Sequence, residues 1–268
     1  MDTWLRMDKA IRYHVCMASR VFAFHCGGVR SFRGFYDVTD ERAIEIVYEP
    51  AYFFLLEFEG RHFLFDTGMN PRLKREDDGG LGVLMSDEDT LVPLLAKVGV
   101  TPADIEGVIL SHLHNDHAGG LEYIARDTPV YVNGQELVFA RNPPVYQRPF
   151  FDEEDLQHDT NWVELSSELD VLGDGRLTIV PTPGHTAGHQ VLKVRLENRT
   201  IVLCGDAAYI TGKMRERRIP GVVWNPDLLV QSWELLEKIE RTESALLVFT
   251  HDLDFSETKP HPPLQWYE

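Results

Sequence analysis

Three imidazoles and a carboxylate fall within six positions of this chain, at His112, His114, Asp116 and His117, directly after the apolar run Val108-Ile109-Leu110. That run reads as a buried strand, so the fold must deliver a strand end and a polar turn to one place. In extended chain His112 and His114 project to the same side. Asp116 and His117 come where Ala118-Gly119-Gly120 forces a turn, and they aim at a second point close by. The spacing suits nitrogen and oxygen coordination of zinc. A chance cluster of surface histidines is the competing reading, and it leaves the downstream pattern unexplained.

Three further strand-like runs each end in a candidate ligand. Leu177 to Thr182 runs into Pro183-Gly184-His185, Thr200 to Cys204 into Gly205-Asp206, and Ala245 to Thr250 into His251-Asp252. Site residues of layered α/β folds collect where strands stop and loops begin. One such ending means little. Three, in the order His, Asp, His behind an H-x-H-x-D-H run, form a set.

On these residues the chain resembles the metallo-β-lactamase superfamily, from about Phe53 to about Phe255, and within it the N-acyl homoserine lactonases, the quorum-quenching enzymes. The narrower resemblance rests on His112 to His117, His185, Asp206 with Tyr209, and the His251-Asp252 pair. It implies one metal on His112, His114 and His185, a second on Asp116, His117 and His251, and Asp206 bridging both along with a water or hydroxide. Two divalent ions are implied, zinc first, with iron, cobalt or manganese as substitutes. Phe63-Leu64-Phe65-Asp66-Thr67-Gly68 resembles the superfamily's first motif, in which Asp66 supports the ligands without binding metal. Asn115 departs from the pattern, since related lactonases often carry an apolar or aromatic residue there. The segment up to Glu49 and the loop from Asn142 to Asp159 match no motif; substrate choice is assigned to them.

At 268 residues one domain, 1–268, is expected, with no linker to divide it. The implied architecture is a four-layer α/β/β/α sandwich with the site along the edge between two sheets. No stretch approaches the roughly 20 apolar residues of a membrane span. The start, Met1-Asp2-Thr3-Trp4-Leu5-Arg6, lacks a secretory h-region, which points to the cytoplasm. A net charge of -17, from 43 acidic and 26 basic residues, repels phosphate backbones and argues against nucleic acid as a partner. The resemblance admits a homodimer, although no residue argues for one. Cys204 reads as a small core residue, and a Cys16–Cys26 disulfide is not expected in a reducing compartment.

Strands are expected over Arg12 to Phe24, Ile44 to Tyr48, Ala51 to Phe58 and His62 to Asp66. Helices are expected over Leu91 to Val98, after Gly119-Gly120, from near Gly134, and from Asn225-Pro226 to about Arg241. The last has Asn225 as N-cap, Pro226 at the first position and Leu228, Leu229, Trp233, Leu236 and Ile239 down one face.

Two ions sharing a hydroxide would supply a nucleophile at neutral pH, and no G-x-S-x-G elbow offers another. Asp116 is placed to carry a proton from the attacking to the departing oxygen. Tyr209 narrows the class, because lactonases use a tyrosine at this spacing to hydrogen-bond the substrate; an ordinary packed aromatic is the alternative. The aromatics Phe22, Phe24, Phe32, Phe35, Tyr36, Tyr146, Phe150 and Phe151, with Asn115, are the candidate acyl-chain groove. His189 is read as a supporting or strand residue, and His14, His25, His62, His158 and His261 as bystanders. A small lactone is the expected substrate. The rivals keep the fold and change the substrate: a 4-pyridoxolactonase-like enzyme or a glyoxalase II-like thioesterase. Persulfide dioxygenases and a non-catalytic metal-binding module stand further off.

Overall fold

A computed structural model of the chain describes residues 19–156, 158–252 and 264–267. His14, Cys16 and His261, and the part of the expected first strand before Ser19, lie outside these residues. Strands β1 (Arg20–Phe32), β2 (Ile46–Phe58), β3 (Arg61–Phe65), β4 (Gly82–Leu84), β5 (Ile105–Ile109), β6 (Pro129–Asn133) and β7 (Asn161–Leu165) belong to one sheet. Strands β8 (Leu169–Asp170), β9 (Leu177–Pro181), β10 (Gln190–Arg195), β11 (Thr200–Leu203) and β12 (Leu246–Val248) form a second, and β13 (Leu264–Tyr267) returns to the first. The larger sheet runs β13-β1-β2-β3-β5-β6-β7 with β4 on β1, and the smaller runs β12-β11-β10-β9-β8.

The layering follows from side chains that alternate between two apolar surroundings. On β2, Phe54 and Leu56 join Phe65, Ile109, Ile179, Leu192, Ile201 and Leu203 in the core between the sheets. Phe53 and Leu55, one residue out of phase, face the helical side with Leu91, Leu94 and Leu95 of α1 (Leu91–Ala96) and Leu137 of α2 (Gly134–Arg141). On β11 the alternation repeats. Val202 turns outward, as does Cys204 just beyond the strand, and both meet Leu229, Trp233 and Leu236. These last three belong to α4 (Pro226–Glu243), which follows the short α3 (Thr211–Arg215). Strands covered on both faces read as unbroken apolar runs, and the result is two sheets flanked by helices. Among the described residues no helix is long and apolar enough to cross a membrane.

α4 begins as its sequence dictates: the Asn225 side chain accepts the Leu228 N–H at 3.1 Å, with Pro226 at the first position. The expected helix after Gly120 is a correction. Only a single 3-10 turn, Leu121–Tyr123, forms there, because Gly119 and Gly120 are pinned by Gly68 and Thr67 and the chain must reach β6 within a few residues. The two strands expected over 44–58 are one. Pro50 is accommodated inside it by a bulge on β1, where Cys26 and Gly27 (φ 94) sit between the pairs His25–Tyr52 and Gly28–Pro50. Cys26 and Cys204 are buried free thiols.

Candidate metal centre

Asp66 follows β3, His112 to His117 follow β5, and His185, Asp206 and His251 lie just past β9, β11 and β12. All these strand ends meet along one edge of the sandwich. His112, His114, His185 and Asp206 bring one donor atom each within 4.8 Å of one another, and so do Asp116, His117 and His251. Asp206 reaches both groups. Its Oδ2 is 3.4 Å from His185 Nε2, and its Oδ1 is 3.2 Å from His117 Nε2 and 3.3 Å from His251 Nε2.

The outer nitrogen of every one of these imidazoles has an acceptor, which assigns the tautomer. His251 Nδ1 donates to the Pro50 carbonyl at 2.7 Å, His185 Nδ1 to the Val222 carbonyl at 3.1 Å, and His117 Nδ1 to Asp66 Oδ2 at 2.8 Å. His114 Nε2 donates to Gln147 Oε1 at 3.0 Å. The Ser111 hydroxyl donates to Asp66 Oδ2 at 2.9 Å and so accepts from His112 Nδ1, also at 2.9 Å. In the neutral tautomer so assigned, each inner nitrogen presents a lone pair, the form that binds a cation. His185 Nε2 lies 3.0 Å from His114 Nδ1 and 3.2 Å from His112 Nε2, a separation that lone pairs tolerate only around a shared cation. His117 Nε2, His251 Nε2 and Asp206 Oδ1 are buried and take no hydrogen bond. Five imidazole nitrogens and two carboxylates facing inward make a donor set that fits divalent metal.

The electrostatics divide the same way. Burial, then the neighbouring imidazoles, push His112 well below its ordinary value, and burial takes His114 to about 4 and His185 to about 3. Burial also opposes charge on His117 and His251, but Asp206 and Asp116 outweigh it and hold both imidazoles well above the usual range. Asp116 drops to about 2, since His117 and His251 more than offset its burial. The imidazoles of the half that holds Asp116 thus draw positive charge, while those of the other half stay neutral.

Asp66 holds its place at a cost. Its φ of 61° is left-handed, a conformation worth roughly 1–2 kcal/mol of strain outside glycine. It is over-determined there by Ser111 N–H at 2.7 Å, the Ser111 hydroxyl and His117. His189 binds no inner position. Its Nε2 accepts the Asp206 N–H at 3.1 Å and its Nδ1 bonds Thr182 Oγ1 at 2.9 Å, so it fixes the backbone that carries Asp206.

The metallo-beta-lactamase superfamily profile matches residues 47–251. The chain is 32% identical over 222 residues to the N-acyl homoserine lactonase AttM of Rhizobium radiobacter, covering 76% of this chain and 82% of that protein. This chain belongs to that superfamily and to its N-acyl homoserine lactonase family. The N-acyl homoserine lactonase of Bacillus thuringiensis is 30% identical over 214 residues, with the same shares covered. A solved quorum-quenching N-acyl homoserine lactone hydrolase superposes with a TM-score of 0.82 at 25% identity, over 92% of this chain and 98% of its own.

Within this family frame, two supporting residues had no signal in the sequence. Gln147, fully buried, donates to the His185 carbonyl at 3.2 Å while it accepts from His114. Glu136 of α2 accepts the N–H groups of Leu113 at 3.1 Å and Gly188 at 2.9 Å, tying the loop of His112 to the loop of His185. Burial lifts its carboxyl to about 7.

A cavity of about 260 Å³ opens beside the seven donors. Tyr209, 8% exposed, lines it; burial first, then Asp206, Glu49 and Asp116, keep its phenol well above the ordinary value and therefore protonated. Phe35, Asn115 and Phe150 also line it. The rest of the expected groove needs correcting. Phe24 is fully buried and stacked on Phe53 at 5.1 Å, and Phe22 packs on the same core, because β1 turns both towards the helical layer. Tyr36 is buried behind Tyr209, edge-on at 5.6 Å. Phe32 stands outside, edge-on to Phe35, and Tyr146 is 59% exposed on the outer surface. Phe151 packs on the ring of His114 at 4.7 Å and lines a separate cavity at the end of α2. Val29, Ser31, Glu49, Val83 and Val222 also line the cavity beside the donors, as do Leu73, Arg75, Gly82 and Pro149, none of them anticipated.

Proposed function

We propose that this protein is a dinuclear, zinc-dependent hydrolase that opens the lactone ring of N-acyl homoserine lactones. The observation that carries it is the convergence of seven donors, in two groups sharing Asp206, on the cavity lined by Tyr209. The reading makes it a single-domain cytoplasmic enzyme. His112, His114 and His185 would hold one ion, Asp116, His117 and His251 the other, and Asp206 both. Bound there, two divalent cations acidify a water and polarise a carbonyl.

The chain's own groups do the rest. Tyr209, protonated, donates a hydrogen bond to the oxygen that gains charge as the ring carbonyl is attacked. Asp116, kept as the carboxylate and with its side chain 17% exposed at the cavity, accepts the proton from the attacking water. It returns that proton to the ring oxygen as the ester bond breaks, which leaves the hydroxy acid.

The test is pH-stat hydrolysis of a panel: N-acyl homoserine lactones, simple γ-lactones, 4-pyridoxolactone and S-lactoylglutathione. The homoserine lactones should give the highest kcat/KM, with activity abolished by chelation and restored by zinc. A preference for S-lactoylglutathione would overturn the lactonase reading in favour of a thioesterase, and one for 4-pyridoxolactone would reassign the ring.

A further inference from the structure

The cavity wall at β1, β2 and β4 carries an acid that the chemistry above does not use. Val29 pairs across the sheet with Glu49 on one side and Val83 on the other, and Ser31 lies on the same face, diagonal to Glu49. That face lines the cavity. Three acidic side chains line it: Asp116 and Asp206 of the metal groups, and Glu49. Glu49 is only 6% exposed, and Ser31 Oγ donates to its Oε1. The strand holding it is tied to the centre next door, where the Pro50 carbonyl accepts His251 Nδ1 at 2.7 Å. Its carboxyl lies near enough to Tyr209 to push that phenol up.

A buried carboxyl on a face shared with Val29, Val83 and Ser31 costs free energy unless something hydrogen-bonds it. Ser31 meets one oxygen, and the carboxyl lines the cavity where a ligand can reach it. We propose that Glu49, oriented by Ser31, hydrogen-bonds the exocyclic amide of an N-acylated lactone and so selects this class over lactones with hydrocarbon substituents. The proposal deepens, and rests on, the lactonase reading. An amide offers both N–H and C=O, so the carboxyl finds a partner whether ionised or protonated.

The test compares kcat/KM for N-butanoyl homoserine lactone with that for α-pentyl-γ-butyrolactone, in which methylenes replace the amide. The ratio of the two should fall about 10- to 100-fold in Glu49→Leu, stay within about threefold of wild type in Glu49→Gln, and fall by a smaller factor in Ser31→Ala. Metal content is measured alongside. A ratio unchanged within about twofold in a metal-loaded Glu49→Leu enzyme overturns the proposal. Equal losses on both substrates with loss of metal also overturn it, by making Glu49 a support of the centre. Should Glu49→Leu fail to fold, the Ser31→Ala ratio decides by the same criterion. A wild type that opens neither lactone defeats the lactonase reading itself, an outcome distinct from an unchanged ratio in an active enzyme.

Discussion

Tyr209 stands in the cavity with its hydroxyl protonated, beside both carboxylates of the candidate centre. Tyr209→Phe should lower kcat/KM by the equivalent of about 1–3 kcal/mol, with metal content unchanged. Unaltered kcat/KM would remove the role. Gln147 acts on geometry rather than on substrate: it fixes His114 and the His185 loop with a single amide. Gln147→Ala should weaken metal affinity about 10- to 100-fold in competition with a chromophoric chelator, and unchanged affinity would show that the imidazoles hold their places without it. The seven donors could be read from the chain because each is an unusual residue type at a strand end, at a fixed spacing or in a repeated context. Gln147 could not. One amide in a loop has no period and no partner in sequence, and its function exists only once the loop folds over His114. The expected groove is only partly matched, by Phe35, Phe150 and Asn115, for a related reason: ring side chains look alike in sequence whether they face a cavity, as Phe35 does, or the core, as Phe24 does.

At the scale of elements, α4 shows what is legible. Asn225-Pro226 fixed its start, and of the apolar stripe Leu229, Trp233, Leu236 and Ile239 are buried as expected, while Leu228 is only half-buried and Ser232 takes a place on the buried face. Asn225→Ala should cost about 1 kcal/mol in urea denaturation, since the Leu228 N–H loses its acceptor; no change would mean that water replaces the cap. The turn after Gly120 shows what is not. Gly119 is packed so tightly that a Cβ would meet the Asn70 backbone nitrogen at 2.1 Å, a contact made across the fold and invisible to local periodicity. Gly119→Ala should therefore shift the loop carrying His117 and reduce metal loading, whereas the exposed Gly212, where a Cβ would meet nothing within 4 Å, should tolerate the same change. The continuation of β1 from Phe24 to Phe32 was missed because the bulge at Cys26–Gly27 interrupts its alternation in sequence without ending the strand.

At the scale of the whole molecule, four layers exist to hold strand ends from two sheets around one group of charges, so stability and metal loading are coupled. His117 and His251, raised above their unfolded value, keep protons in the metal-free protein. Their contribution is fully present below pH of about 6.5 and is lost as pH rises beyond it. Metal requires both to be deprotonated, so the stabilisation it adds should grow over the same window. Urea midpoints between pH 6.5 and 8 should fall for chelated protein and diverge upward for loaded protein; parallel profiles would contradict the assignment. The most direct test is elemental analysis of the purified wild-type chain beside Asp206→Asn. Two equivalents of divalent metal per wild-type chain, reduced to one or fewer when the bridging carboxylate is neutralised, is the expected result. One equivalent or none in the wild type, with lactone hydrolysis intact, would contradict it.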